Sequence, residues 1–405
     1  MDTDKWTLYG QELDLDMFLK FHPGGTQALL LGKGRDCTQL FEQYHMDGGR
    51  ATAMLNTFAA KQHKVLTMGA GDSFHNELLD AVRQLPGRKT TPIMLAACVL
   101  TALATGCAWI GWLNGSWAAC LVLPFLHWLF MVNVAHDAAH FAFSTSHVFN
   151  EYAALVGSPL YFNTTYWYLQ HNISHHGHTN TVDHDIDLYH GAPLVRFHLD
   201  EKWHRVHSFQ VATVVLVNFL WATLAENILF PINLLLKTSM PMKFFGHVDN
   251  VIQYNRLSLF GQVFTTLFCV GYPLYMWSGL TAWFFALYPF FTASIIFMTV
   301  TQISHIQAVA QKVVQRAHWS HQMVESSLDY SQGSVVCTFL TGGLNMQGLH
   351  HCVPGLSSSR YLDIYPTYRA LCKKHGLTIN ETASFWSAIG LYWIHIYNLS
   401  RINRD

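Results

Sequence analysis

Residues Thr90–His140 read TTPIMLAACVLTALATGCAWIGWLNGSWAACLVLPFLHWLFMVNVAHDAAH. From Thr90 to His136 there is no Asp, Glu, Lys or Arg, a run of 47 residues. As helix this is about 70 Å long, against a bilayer hydrocarbon core of about 30 Å. One crossing cannot use that length and two can, with Asn114-Gly115-Ser116 as the turn. The expected spans are 92–113 and 117–135. A second charge-free run, Leu257 to Gln311, is 55 residues long. Ser278-Gly279 divides it into expected spans at 258–277 and 280–301. Both hairpins have short loops on one side. Lys61, Lys64, Arg83, Arg88 and Lys89 fall on the other, with Lys312, Arg316, Arg360, Lys373 and Lys374, so that side and both termini are expected to be cytosolic.

A third apolar stretch, 206–236, is interrupted by Glu226 and Pro231. A charge at mid-membrane costs roughly 3 kcal/mol on insertion scales, and a crossing here would make the number of crossings between residues 176 and 305 odd. It is therefore read as an interfacial helix on the cytosolic face. Residues 1–50 are polar, and 51–89 form a basic, mostly helical connector. The first twenty residues lack an apolar signal-peptide core.

The whole chain, of 405 residues, is 51% hydrophobic and 12% charged, where a soluble domain carries about 25% charged residues. With a mean hydropathy of +0.17, this excludes a disordered or simple soluble protein. A net charge of −1 lacks the basic footprint of a nucleic-acid binder. The eight Cys form no CxxC pair and are read as reduced packing residues. The 25 His outnumber the 24 Lys and Arg together, which points to metal.

Those His are clustered. His136-Asp137-Ala138-Ala139-His140 closes the second expected span, its two rings on one helix face. In His171-Asn172-Ile173-Ser174-His175-His176, the spacing puts His171 and His175 on one face with His176 beside it. Gln347-Gly348-Leu349-His350-His351 places Gln347 one turn before a His pair, and His305 follows the fourth span. All four groups are expected at one membrane surface. Eight imidazoles (His136, His140, His171, His175, His176, His305, His350 and His351) exceed the four that complete a structural zinc site. Imidazole also suits iron and copper, and two irons with about four His each fit the count. A redox di-metal site beside a bilayer implies oxygen chemistry on lipid. Asp183, Asp185 and Asp187 alternate with His178, His184 and His190 and read equally as carboxylates orienting the ligand rings or as a solvated loop; His204 and His207 follow. Lys202, Trp203 and Arg205 read as a plain surface face before a headgroup site.

Near the N-terminus, Phe21-His22-Pro23-Gly24-Gly25 is followed by Gly34-Arg35-Asp36-Cys37-Thr38, Phe41 and His45. This combination resembles the cytochrome b5 domain, which implies axial ligation of haem b iron by His22 and His45. Two axial ligands leave no open position, so such a haem carries electrons. Trp6 falls at the family's first core strand, and the usual upstream strand and helix are absent.

A b5-like domain with HDAAH, HNISHH and QGLHH boxes resembles the front-end fatty acid desaturases over nearly the whole chain, from about Trp6 to residue 398. Gln347 in place of the first His of the third box marks that subgroup, and SQGSVVCTFLTGGLNMQGLHHCVP (Ser331–Pro354) looks closest to protist Δ5 and Δ4 enzymes. The resemblance implies a small α+β cytochrome b5-like haem domain (1–50), the connector (51–89), and an all-α membrane desaturase domain (90–398) with four transmembrane helices and a cytosolic di-iron cap. It implies two non-haem irons on the eight His, with Gln347 at or beside the shell. It further implies a long-chain polyunsaturated acyl substrate, phospholipid- or CoA-linked, O2, an NADH-cytochrome b5 reductase, and residence in the endoplasmic reticulum membrane. The rival expectations are a Δ6 or Δ8 acyl enzyme, a sphingolipid Δ8 long-chain-base desaturase, a lipid hydroxylase, and a haem electron carrier without di-iron activity.

Overall fold

The computed structural model describes residues 4–46, 49–64, 72–312 and 318–401; Arg316, counted above among the basic residues, lies outside them. The chain begins with a small unit. Strands β1 (Trp6–Leu8) and β2 (Gln11–Leu13) pair antiparallel, Trp6 opposite Leu13. Helices α1 (Gly25–Leu30), α2 (Thr38–Tyr44) and α3 (Gly49–Lys61) follow. Trp6, Leu8, Leu13, Leu15 and Cys37 share one core with Leu55 and Ala59 of α3. The expected connector therefore does not begin at residue 51: its first turns close the core of the N-terminal unit. The next helix, α4 (Ser73–Arg83), buries Phe74, Leu78, Leu79 and Val82 in a second core with Leu349, Tyr361, Ile364 and Tyr368.

Two long apolar hairpins form the body. α5 (Pro92–Leu113) starts on Pro92 with Thr91 as its cap, a combination that suits a first turn with unpaired N–H groups. Gly115, at φ +77°, makes the turn, and Ser116 Oγ accepts from Ala119 N to start α6 (Trp117–Ala139). Outward residues such as Ile93, Leu100 and Leu103 are exposed, a surface only lipid would cover at low cost. α6 runs past the expected end at 135 and carries His136. Further on, α9 (Arg256–Met276) and α10 (Gly279–Gln302) form the second hairpin, turned by Gly279 at φ +60°. The indole of Trp112 donates to Phe285 O at 3.1 Å and Tyr272 Oη to Leu113 O at 2.8 Å, joining the hairpins near their turns.

Two helical runs lie between the hairpins. α7 covers 164–178, and its middle, Tyr168–His175, is a π-helix. α8 (Arg205–Leu235) has π turns at Val215–Phe219 and Ala225–Leu229. Among the described residues, five helices are long and apolar enough to cross a membrane: α5, α6, α8, α9 and α10. The four-span expectation set α8 aside because of Glu226. In the structure that carboxyl is buried, 3.8 Å from His190 Nε2, so it faces the protein interior and not hydrocarbon. Thr223 Oγ1 donates to Phe290 O at 3.1 Å, seating α8 against the middle of α10.

The C-terminal third completes the site. α11 (Gln347–Cys352) carries the last His pair, and α12 (Tyr361–Lys374) and α13 (Phe385–Arg401) pack behind it. A parallel pair, β3 (Leu328–Tyr330) with β4 (Asn380–Thr382), holds Asp329. This buried carboxylate accepts from Gly348 N at 3.1 Å and Tyr365 Oη at 2.8 Å, fixing the start of α11. A Cβ at Gly348 would meet Tyr368 Oη at 2.5 Å, so any larger residue must displace that hydroxyl.

Candidate metal centre

The four His groups come from distant parts of the chain and meet in one buried place. His136, His140, His171 and His350 form one group and His175, His305 and His351 another, the candidate ligand atoms of each within 4.8 Å of one another. His176 lies between them, its Nε2 3.2 Å from His171 Nε2 and 3.1 Å from His350 Nε2, with its ring stacked on His351 at 4.2 Å.

The π-helix explains the division. The sequence expects His171 and His175 to share a face at α-helical spacing. A π-helix bonds i to i+5, so the His171 Nε2 meets that of His176, while the His175 ring stacks on His171 at 5.6 Å. His175 turns to the second group, its Nε2 3.2 Å from His305 Nε2. The second box thus supplies both clusters.

The ring nitrogens are tied on one side and open on the other. His175 Nδ1 faces Asp185 at 3.1 and 3.2 Å and Asp187 at 3.4 Å. His350 Nδ1 is 2.9 Å from Tyr361 Oη, His351 Nδ1 2.9 Å from Thr179 Oγ1, and His140 Nδ1 2.7 Å from Tyr44 Oη. Outer partners of this kind fix the tautomer and leave Nε2 as the ligand. Nε2 atoms 3.1–3.2 Å apart match two ligands on one metal at about 2.0–2.1 Å each. Both Nε2 and Nδ1 of His136, Nε2 of His140 and Oε1 of Gln347 are buried without a hydrogen-bond partner, a costly arrangement in a protein interior that bound metal would relieve. Gln347 Nε2 lies 2.9 Å from His305 Nε2 and 3.1 Å from His351 Nε2, making its amide the fourth polar group of the second cluster.

Burial drives most of these imidazoles toward the neutral form that ligation needs. His171, His176, His350 and His351 are held well below the usual range by burial and by one another, and His305 is lowered to about 3. His175 is the exception. Burial would lower it too, but Asp185 and Asp187 outweigh that and raise it to about 9.

Of the alternating acids, Asp185 and Asp187 face His175, whereas Asp183 is an exposed partner of Lys243 and Tyr189. His190 is buried against Gln170, Asp187 and Glu226. His204 and His207 cap a turn, His178 lies ring to ring with His184 at 5.1 Å, and Trp203 Nε1 donates to Ser400 O at 3.2 Å. Sequence reasoning missed Tyr44, Tyr361 and Thr179, which carry no motif. Beside the clusters runs a crevice lined by Trp128, Met131, Val132, Trp167, Phe297 and Leu344, with His136, His171, His175, His305 and Gln347 opening onto it.

The N-terminal unit has its own pair. The rings of His22 and His45 face each other with centroids 6.0 Å apart, close to the ~6 Å expected for two imidazoles bonded to opposite sides of one metal at about 2 Å each. His22 Nδ1 pairs with Gly25 O at 3.1 Å and His45 Nδ1 with Phe41 O at 2.9 Å, which makes Nε2 of each ring the candidate ligand atom. Burial lowers both groups, His45 to about 4. A Cβ on Gly24 would meet the His22 ring at 2.9 Å, so the glycine makes room for that ring.

Residues 2–64 match the model of the cytochrome b5-like haem/steroid-binding domain, and residues 110–383 match the fatty acid desaturase model. The chain belongs to the fatty acid desaturase family. It is 30% identical to an acyl-lipid omega-13 desaturase of Chlamydomonas reinhardtii, over 96% of this chain and 93% of that one. An acyl-lipid (8-3)-desaturase of Mortierella alpina is 26% identical over 96% and 92% of the two chains. A Delta(5) fatty acid desaturase A of Dictyostelium discoideum is 24% identical over 98% and 91%. This desaturase is thus an oxidoreductase with a fused haem domain, a di-iron centre and a fatty acyl substrate, and its family implies electron transfer through cytochrome b5.

Proposed function

We propose that this desaturase is a front-end enzyme. It inserts a cis double bond between the carboxyl end and an existing double bond of a polyunsaturated acyl chain, at Δ5 or Δ4. The observation that carries this reading is the convergence of all eight box and isolated His, with Gln347, beside an apolar crevice and under the haem-bearing segment. We assign His136, His140, His171 and His350 to one iron and His175, His305 and His351, with Gln347, to the other, with His176 between them; His22 and His45 hold haem b. Two bound irons supply the reduction of O2 and the removal of two hydrogens from unactivated carbons, which no side-chain acid or base does at neutral pH. The protein's own part is positioning. Apolar walls at Trp128, Trp167, Phe297 and Leu344 exclude water and hold the acyl chain extended past the clusters. Methylenes are chemically alike, so the reacting carbon is chosen by depth. Asp185, Tyr361 and Thr179 hold imidazoles in register.

We read the enzyme as a four-span protein of the endoplasmic reticulum membrane, both termini cytosolic, supplied by an NADH-cytochrome b5 reductase. The acyl group is carried on phospholipid or CoA. The relatives' names support the Δ5 reading: on a C18 chain an ω13 bond and a Δ5 bond are the same bond.

The test is expression in yeast fed C18, C20 and C22 polyunsaturated acids, with gas chromatography of the methyl esters. A new bond at Δ5 or Δ4 in acids of different length, always on the carboxyl side of an existing bond, is expected. A product that stays thirteen carbons from the methyl end as the chain lengthens would mean that the enzyme measures from the other end. Absence of any acyl product from membrane-inserted protein would turn attention to sphingoid bases.

A further inference from the structure

Helix α2 does two things at once. Its C-terminal cap is His45, a candidate haem ligand. The preceding residue, Tyr44, puts its hydroxyl 2.7 Å from His140 Nδ1 and lays its ring nearly parallel to that imidazole, interplanar angle 19°. Through Gln43, the residue before Tyr44, and Gln39, about one turn earlier, the helix grips the other His-bearing elements. Gln39 Nε2 donates to His176 O at 2.9 Å, and Gln43 Nε2 lies 3.3 Å from both His176 O and His351 O. Those carbonyls stand at the end of the π-helix in α7 and in the last turn of α11, where helices leave acceptors unpaired. The face of the haem unit that bears His45 is thus seated on both clusters.

We propose that Tyr44 is a positioning residue of the non-haem metal centre, supplied by the haem domain. With His140 ligating through Nε2, its Nδ1–H donates to the Tyr44 hydroxyl, which holds the imidazole in the correct tautomer and orientation. The haem unit then completes one metal site, and its docked position is part of that site's architecture. The inference rests on reading the His clusters as metal-holding.

The test uses the purified full chain, haem-loaded, and anaerobic titration with Fe(II) against a competing chelator. Haem is read from its Soret absorbance, and the two non-haem sites are read separately by Mössbauer spectroscopy of 57Fe. Tyr44→Phe keeps the ring and removes only the hydroxyl. Loss of an outer partner of a metal-ligating His typically weakens metal binding 10–100-fold. Tyr44→Phe is therefore expected to weaken one of the two irons by about that factor, leaving haem and the other iron unchanged. A loss of contact packing would not discriminate between the two sites in this way. Both irons bound as in the wild type would overturn the proposal. If Tyr44→Phe sheds haem as well, the decision passes to the wild type. Loading its metal sites must then slow hydrogen exchange in residues 38–46, and unchanged exchange overturns the proposal. A wild type that takes up no iron sinks the reading of the clusters themselves, a separate failure.

Discussion

Asp185→Asn separates two opposing effects that one carboxylate has on the metal centre. Asp185 is fully buried and holds His175 Nδ1 at 3.1–3.2 Å while accepting from the backbone of Asn180 at 2.8 Å and Asp187 at 3.1 Å. As an orienting partner it favours metal, and losing it costs about 10–100-fold in affinity, or roughly 1.4–2.7 kcal/mol. As an anion beside a buried imidazole it also raises His175 to about 9 without metal. At pH 7 that ring must therefore shed a proton before it can ligate. With the group two pH units above the working pH, the penalty is ~100-fold, about 2.7 kcal/mol. The two effects nearly cancel at pH 7.

Their pH dependences do not cancel. Wild-type affinity for Fe(II) is expected to rise about tenfold per pH unit between pH 7 and 9, as one proton leaves for each metal bound. In Asp185→Asn the imidazole returns toward neutrality and this limb flattens, with Asp187 at 3.4 Å retaining part of it. Near pH 7 the variant should bind almost as well as the wild type; above pH 9 it should be the weaker by the full orienting loss. The assay is anaerobic chelator competition from pH 6.5 to 9.5. Parallel curves for the two proteins would refute the argument that the Asp185 carboxylate keeps His175 protonated, and equal affinity above pH 9 would refute its role as an orienting partner.

Three further outcomes follow from the geometry. His22→Ala should abolish the Soret band while both non-haem irons remain, because the haem pair is built within residues 22–45; loss of all three metals together would contradict this. Gln347→Ala should weaken one iron only, since the amide lies against His305 and His351, and Gln347→His, restoring a nitrogen ligand, should recover it; chelator competition reads both. Gly348→Ala puts a methyl 2.5 Å from Tyr368 Oη, an overpacking worth about 1–3 kcal/mol. It should lower the melting temperature in detergent and disturb the clusters, and adding Tyr368→Phe should restore most of the loss. A double variant no better than the single would place the strain elsewhere.

The parts legible in the sequence are those governed by local rules. Absence of charge over 90–136 and 257–311 marked the hairpins, and Gly115 and Gly279 sit in the turns because those positions need positive φ. The HDAAH pair lies on one α-helical face, as its spacing requires. Local rules fail where long-range contacts decide. Nothing in HNISHH announces a π-helix, so the division of its three His between the two groups was hidden. Glu226 looked like a reason to keep α8 out of an apolar layer because its partner, His190, lies thirty-six residues away in sequence. The closure of the N-terminal core by Leu55 and Ala59 depends on a helix whose own pattern is that of a basic connector. Tyr44 is invisible for the same reason: its role exists only once residue 140 is beside it.

The joined site also constrains how the chain threads a bilayer. His175 and His305 are 3.2 Å apart and are separated in sequence by α8, α9 and α10. If all three helices crossed, the two His would emerge on opposite faces. An even number of crossings is required, and if α9 and α10 cross as a hairpin with its two-residue turn, α8 is not a full span. On the four-span reading, α8 lies against Phe290 and Ser294 of α10 without crossing, its two π turns at 215–219 and 225–229 widening it where Asn218 and Glu226 turn inward. At one end His207 contacts Pro193 O, and just past the other Lys237 pairs with Asp249, seven residues before α9. Single cysteines at Arg205 and Lys237 should then react with a membrane-impermeant maleimide from the same side of sealed microsomes. Labelling from opposite sides would make α8 a true span, and a further crossing would have to lie between residues 178 and 305.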